Sequence, residues 1–197
     1  EKNMRKRVVI TGLGMLSPLG LNVEDTWQAL LAGKSGVAPI TLFDASENKT
    51  KFAAEVKDFD PVELFGRRES RRMDRYVQLA MGASLEAVED AGLVVTDENR
   101  DRIGVLIGTG IGGIGTLLEQ ADVMAKRGPS RVSPFLVPMM LADTGPGMVA
   151  IKLGVRGPNM SVVTACATGS NALGEAAEII RRGSADVMIA GGGEASI

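Results

Sequence analysis

The chain has no histidine among its 197 residues. A mechanism that needs an imidazole base, a histidine metal ligand or a complete Ser-His-Asp or Cys-His unit therefore cannot be completed within it. It has one cysteine, so no disulfide can form inside the chain, which fits a reducing compartment. Aromatic residues make up only 4% of the sequence, too few to suggest a stacking platform for bases. Charge of one sign is lacking as well. Twenty-two Lys and Arg stand against 24 Asp and Glu, a formal charge of −2, which argues against a nucleic-acid partner. No apolar run approaches the roughly 20 residues needed to cross a bilayer. The start Glu1-Lys2-Asn3-Met4-Arg5-Lys6-Arg7 leads into a strand rather than a signal-peptide core. A cytoplasmic protein without membrane contact is expected. Met4 reads as the natural start, and the three residues before it are set aside.

What is present favours an α/β protein. Hydrophobic residues make up 45% and charged residues 23%, enough to bury a core, and 25 glycines suit tight turns between strands and helices. Val8-Val9-Ile10-Thr11 reads as a buried strand ending in the turn Gly12-Leu13-Gly14. A helix follows, capped by Asn22, with Trp27, Leu30 and Leu31 at apolar helical spacing and Gly33 closing it. Between Pro39 and Pro61 the pattern is irregular, with short strands near Phe43 and at Phe52-Ala53-Ala54. The spacing predicts a long helix from Ser70 to Ala91, its start crowded by Arg67, Arg68, Arg71, Arg72 and Arg75, and a strand over Ile103–Ile107. A helix through Leu117 to Lys126 and a loop from Gly128 to Pro138 come next. Met139 to Leu153 reads as helix interrupted at Gly145-Pro146-Gly147. A strand over Met160–Thr164, a helix over Ala167–Arg182 and a strand over Val187–Ala190 complete the alternation of a layered sheet. The final strand has no covering helix after it, so the chain reads as one half that needs another.

Two motifs invite a chemical reading. Gly108-Thr109-Gly110-Ile111-Gly112-Gly113 follows a strand and matches the dinucleotide pattern G-x-G-x-x-G. That pattern also needs a second strand carrying an acid about 20 positions on. Here the corresponding stretch is Gly128-Pro129-Ser130-Arg131-Val132-Ser133-Pro134, so the glycines read as close packing or a channel lining. Cys166 stands where a strand turns into a helix, among the small residues Ala165, Ala167, Thr168 and Gly169. A sulfur at a helix N-terminus meets unpaired N–H groups and the positive end of the macrodipole, which favour negative charge there. The Cys166 N–H is placed to donate to an oxyanion, so nucleophilic catalysis is one use and a buried small hydrophobe the other. The arginine run sits near the expected positive end of a helix, a hint that an acidic partner uses it.

Taken together the motifs resemble a known family. Val8–Gly20, Gly108–Gly113, Arg156-Gly157-Pro158-Asn159, Thr164-Ala165-Cys166-Ala167-Thr168-Gly169 and Ala185–Gly192 are similar to the β-ketoacyl-[acyl-carrier-protein] synthases of fatty-acid synthesis, the elongating type II enzyme above all. The resemblance runs in unbroken order from about Arg7 to Ile197. It implies a thiolase-like α/β fold of two similar halves, with residues 1–197 as the N-terminal half. That half is layered α/β/α around a mixed five-stranded sheet. It further implies an acyltransferase that loads an acyl chain from acyl carrier protein onto Cys166. Decarboxylative Claisen condensation with malonyl-carrier protein then extends the chain, with no cofactor and no metal. By the same resemblance Ile111 and Phe135 bind substrate, Ile111 lining the acyl pocket and Phe135 contributing to it near a homodimer interface. Arg68, Arg71 and Arg72 contact the carrier protein. The family's catalytic histidines and supporting lysine lie in the other half, so the chain alone is expected to be inactive. Gly145-Pro146-Gly147 departs from the family's usual Asn, Met and Ala. Two other readings stand beside this one: an interaction or scaffold half without activity, and a thiolase-type acyltransferase.

Overall fold

The computed structural model describes residues 6–197; the reading of Met4 as the start lies outside them. The fold is built on one strand. β3 (Ile103–Gly108) is buried at all six positions, as a parallel strand must be when helices cover both its faces. β4 (Asn159–Met160) and β5 (Val187–Gly192) flank it, both parallel to it, in the order β4-β3-β5. Side chains alternate along β3. Ile103, Val105 and Ile107 point into a cluster with Tyr76, Val77, Met81 and Val149, while Leu106 joins Ala172, Ile179 and Ala185 on the opposite face. The first cluster is supplied by α3 (Arg75–Asp90) and α6 (Thr144–Leu153), the second by α7 (Thr168–Arg181). The result is helix, sheet, helix, the layering that the alternating sequence pattern predicts.

The sheet is narrower than expected. In place of a mixed five-stranded sheet, the described residues form this three-stranded parallel sheet. A separate antiparallel pair joins β1 (Ala38–Pro39) to β2 (Phe52–Ala53). Val8–Thr11 joins neither, and Val9 and Ile10 are 69% and 73% exposed. The segment after them docks on α3 instead. Leu13 N donates to Asp90 Oδ2 and Met15 N to Glu86 Oε2, each at 2.8 Å. Gly12 and Gly14 lie so close to α3 that a Cβ on either would overlap the carbonyl oxygens of Ala87 and Ala83. Glu86 also accepts from Val23 N at 2.8 Å, at the start of α1 (Val23–Leu31), where Asn22 caps Asp25 N as expected. Trp27, Leu30 and Leu31 do not form the packed face of α1. Thr26 and Ala29 do, because the Thr26 hydroxyl bonds to Ser17 and Gly20.

Two helix boundaries also move. The long helix expected over Ser70–Ala91 starts only at Arg75, as α3, and a separate helix, α2 (Pro61–Ser70), precedes it. Gly66 at φ +78° kinks α2, and Asp74 opens α3 by accepting from Tyr76 N. Arg67 and Arg68 therefore lie in the last turn of α2, where cations are favoured by the dipole, rather than at a helix start. The second boundary lies between α5 (Leu136–Met140) and α6, at Leu141–Asp143. Gly145-Pro146-Gly147 does not interrupt the helix. Pro146 falls in the first turn of α6, where its missing N–H has no intrahelical partner to lose, and it is fully buried. Of the strand expected over Met160–Thr164 only Met160 is strand, as the second residue of β4.

At the far end of the sheet Arg102 holds the β3 and β5 starts together. Its guanidinium donates to both carboxylate oxygens of Asp186 at 3.0 Å and to the Gly183 carbonyl at 2.9 Å. The Arg102 hydrogen bond, then the nearby charges of Arg102 and Lys6, hold the Asp186 carboxyl below the ordinary aspartate range. A depressed folded value means that the stabilisation is complete above the ordinary range and is lost as the pH falls through it. Asp186→Asn should therefore lower the urea midpoint at pH 7, and its difference from the unsubstituted chain should shrink below about pH 4; a difference constant with pH would contradict this. For the packed segment, Gly14→Ala should reduce unfolding free energy by about 2 kcal/mol through overlap with α3. Gly115→Ala, in α4 (Ile114–Arg127) with nothing near its Cβ, should raise it by about 0.5 kcal/mol. Equal effects in urea titration would refute the close approach.

Candidate functional site

The C-terminal ends of β3 and β5 meet the N-terminus of α7, and Cys166 lies at this junction. It is the middle residue of a single 3₁₀ turn, Ala165–Ala167, between Thr164 and α7. The turn begins with Ala165 at φ +51°, left-handed backbone that a residue with a Cβ rarely adopts. This sharp reversal projects the Cys166 side chain outward, and its thiol is free and exposed. Ala167 N donates to the Thr164 carbonyl and Thr168 N to that of Ala165. The Cys166 N–H has no acceptor among the described residues. The elbow expected from the small-residue pattern is therefore present, with sulfur and an uncommitted donor on one residue at the start of a 14-residue helix.

Glycines let the pieces come together. A Cβ on Gly108 would overlap the Thr168 methyl group, and one on Gly192 would come within 3.0 Å of Gly169. After β3 the chain turns through Thr109–Gly113 into α4. Gly110 lies beside the elbow, its Cβ position 3.6 Å from Ala165 Cα. Glu194, just past β5, fixes this turn by accepting from Gly110 N at 2.7 Å, and the Thr109 hydroxyl accepts from Gly112 N at 3.2 Å. The other end is anchored by Asp74, whose Oδ2 accepts from the hydroxyl of Thr116 at 2.6 Å and from its N–H at 3.2 Å. Ile111 projects from the turn and is 58% exposed. The region that would need an acidic strand for dinucleotide binding is a 3₁₀ turn, Pro129–Arg131. The glycine cluster is thus spent on close packing.

A second cluster lies at the end of α2. Arg67, Arg68, Arg71, Arg72 and Phe135 line a shallow recess of about 430 Å³, with the Arg72 guanidinium 4.9 Å from the Phe135 ring centroid. The structure thus brings Phe135 to the arginines. Arg75 does not share this recess. It covers the Phe59 ring and donates to the Phe59 and Val56 carbonyls, and burial lowers its pKa. Phe135 and the glycine turn are linked through α5: Phe135 precedes it, and the Met140 carbonyl near its end accepts from Gly113 N. Tyr76 completes this support by donating from its hydroxyl to the Leu141 carbonyl. Burial pushes the Tyr76 phenol up to about 12, so it remains a donor.

Sequence reasoning did not single out Thr168, Glu194 or Asp74 individually. Asp74 carries a readable signal, an acidic residue just ahead of a helical apolar run. Glu194 carries none, because its partner is 84 positions away. Among the described residues no group of three or more His, Cys, Asp or Glu side chains is arranged to hold a metal ion. No described helix is long and apolar enough to cross a membrane.

Residues 5–197 match the family model described as the N-terminal domain of β-ketoacyl synthase. The 3-oxoacyl-[acyl-carrier-protein] synthase 2 of Synechocystis sp. is 51% identical over 98% of this chain, and that of Coxiella burnetii 50% identical over 96%. In each case the match covers 46% of the relative, so the chain spans about half the length of the curated relatives it matches. Among solved structures, the ishigamide ketosynthase/chain length factor is 35% identical with a TM-score of 0.83, covering 95% of this chain and 47% of that one. A β-ketoacyl synthase from Burkholderia phymatum is 29% identical with a TM-score of 0.76, covering 91% and 45%. The fold around Cys166 is accordingly the thiolase-like fold of the ketosynthases, and the chain belongs to the β-ketoacyl synthase family through its N-terminal domain.

Proposed function

We propose that this chain is the N-terminal half of a 3-oxoacyl-[acyl-carrier-protein] synthase and that Cys166 is its acyl-accepting nucleophile. The observation that carries the proposal is the elbow. The sulfur is exposed at the start of α7, and the N–H of the same residue is unengaged among the described residues. The thiolate of Cys166 attacks the thioester carbonyl of acyl-carrier protein, and the carbonyl electron pair moves onto oxygen. The Cys166 N–H donates to that oxyanion. As the tetrahedral centre collapses, the carrier's thiolate leaves and takes up the proton released by Cys166. Malonyl-carrier protein then loses carbon dioxide, and the carbanion attacks the Cys166 thioester, expelling the thiolate. The chain contains no histidine, so protonation and stabilisation of the decarboxylation step fall to groups of a C-terminal half. For that reason the chain alone is inactive in condensation.

Ile111 is assigned to the acyl pocket because its turn abuts the elbow. Arg68, Arg71 and Arg72 are assigned to the acidic carrier protein because they converge on one exposed recess. Phe135 lines that recess beside Arg72 and, through α5, connects it to the Ile111 turn, where it is assigned with Ile111 to the substrate. A homodimer is supported by the exposed apolar residues Met160 and Val163 along and beyond the β4 edge. In the assembled protein the sheet reaches five mixed strands. The side of β5 that pairs with no strand among the described residues, and the exposed Val9 and Ile10, support that width. The same reading places the protein in the cytoplasm.

Replacing Arg68, Arg71 and Arg72 together by Glu should slow acyl transfer from acyl-carrier protein to Cys166 at least about tenfold, since complementary charge governs encounter. Alkylation of Cys166 by iodoacetamide should be unchanged. Equal transfer rates before and after charge reversal would remove the carrier-protein assignment.

A further inference from the structure

We propose that Thr168 is the positioning residue that holds the Cys166 elbow in its reactive form, through its hydroxyl rather than its methyl group. This deepens the reading of Cys166 as the acyl acceptor and rests on it. Thr168 is the first residue of α7 and is 4% exposed. A threonine at a helix start ordinarily caps a helical N–H, yet this hydroxyl turns backward and accepts from Thr164 N at 2.9 Å. Its methyl group meanwhile fills the space above Gly108 and beside Val162. The two halves of the side chain thus have separate tasks, one on the elbow and one on the sheet.

The hydroxyl closes the ring that strains Ala165. The Thr164 backbone is bonded twice, its N–H to the Thr168 side chain and its carbonyl to Ala167 N, while its hydroxyl accepts from Asn171 Nδ2 at 2.8 Å. Between these two anchors Ala165 is forced to φ +51° and Cys166 is thrown outward. Left-handed backbone at a residue with a Cβ persists only where its surroundings over-determine it. Without the Thr168 hydroxyl, the Thr164 N–H loses its acceptor within the turn, and the turn relaxes toward ordinary backbone. The sulfur would remain accessible in the relaxed turn. The Cys166 N–H would no longer point where the oxyanion forms.

That difference separates positioning from mere folding. Attack on a thioester needs both the sulfur and the oxyanion donor, whereas displacement of iodide from iodoacetamide needs the sulfur alone. The test compares Thr168→Val, Thr168→Ser and Thr168→Ala in the full chain assembled with a complementary C-terminal half. Three quantities are read: acyl transfer from acyl-carrier protein, iodoacetamide alkylation of Cys166, and hydrogen exchange at the Thr164 amide. Val and Ala should slow acyl transfer and speed Thr164 exchange, each about tenfold, the loss of one net hydrogen bond. Ser should stay within about twofold in both, and alkylation within about threefold throughout. If Val does not fold, the Ser and Ala pair alone isolates the hydroxyl. The proposal is overturned if Val or Ala transfers acyl groups at the unsubstituted rate, or if Ser is impaired as much as Ala. Should the unsubstituted protein accept no acyl group, the synthase reading falls, while Thr164 exchange still decides whether Thr168 holds the turn.

Discussion

Burial of β3 on both faces is the constraint from which the site follows. A parallel strand covered by α3 and α6 on one side and α7 on the other has to be apolar throughout. Where side chains would keep the layers apart, the strand carries glycine. Gly104 and Gly108 lie on the α7 side of β3, and a Cβ on either would meet Met188 or Thr168. Removing bulk at Gly108 lets the first turn of α7 rest on the strand end. The chain arriving from β4 must then reverse within three residues to enter that helix. The strained Ala165 and the outward Cys166 are consequences of this close approach as much as of their own sequence.

The same logic explains how the surroundings of the elbow are held. Glu194 from the end of β5, and Asp74 and Tyr76 from the start of α3, all reach the connection between β3 and α6. Each makes a hydrogen bond to backbone or to a hydroxyl: Glu194 within the turn bearing Ile111, Asp74 to Thr116 just after it, and Tyr76 to Leu141 ahead of α6. A glycine-rich turn is otherwise an entropically costly thing to order. Its six residues, Gly108–Gly113, match a dinucleotide motif in sequence while serving a different purpose, because what distinguishes the two is the partner strand and not the glycines.

Much of this was legible from one sequence, and the exceptions have physical causes. Apolar β-branched runs identified β3 and β5, and glycine after the last turn closed α7 correctly. The sharp turn at Cys166 is legible in the small residues around a lone cysteine between a strand and a helix, whereas its exposure, against the alternative of a buried small hydrophobe, comes from the structure. The start of α3 at Asp74 rather than Ser70 is not legible because the apolar periodicity begins earlier, and only the cap hydrogen bond marks the helix start. Pro146 was misjudged because its effect depends on its position within a helix whose start at Thr144 carries no side-chain cap. Val8–Thr11 has strand composition but joins no described ladder; composition specifies a willingness to pair and not a partner. Thr168 and Glu194 were invisible as positioning groups because their bonds depend on the fold, across strand ends that the sequence does not place side by side.

The most direct test of Cys166 as an acyl acceptor is the intact mass of the protein after incubation with an acyl-carrier-protein thioester, with and without a complementary C-terminal half. A mass increase of one acyl group that disappears in Cys166→Ala is the predicted result. An acyl adduct that persists in Cys166→Ala, or no adduct at all when both halves are folded together, would contradict the account.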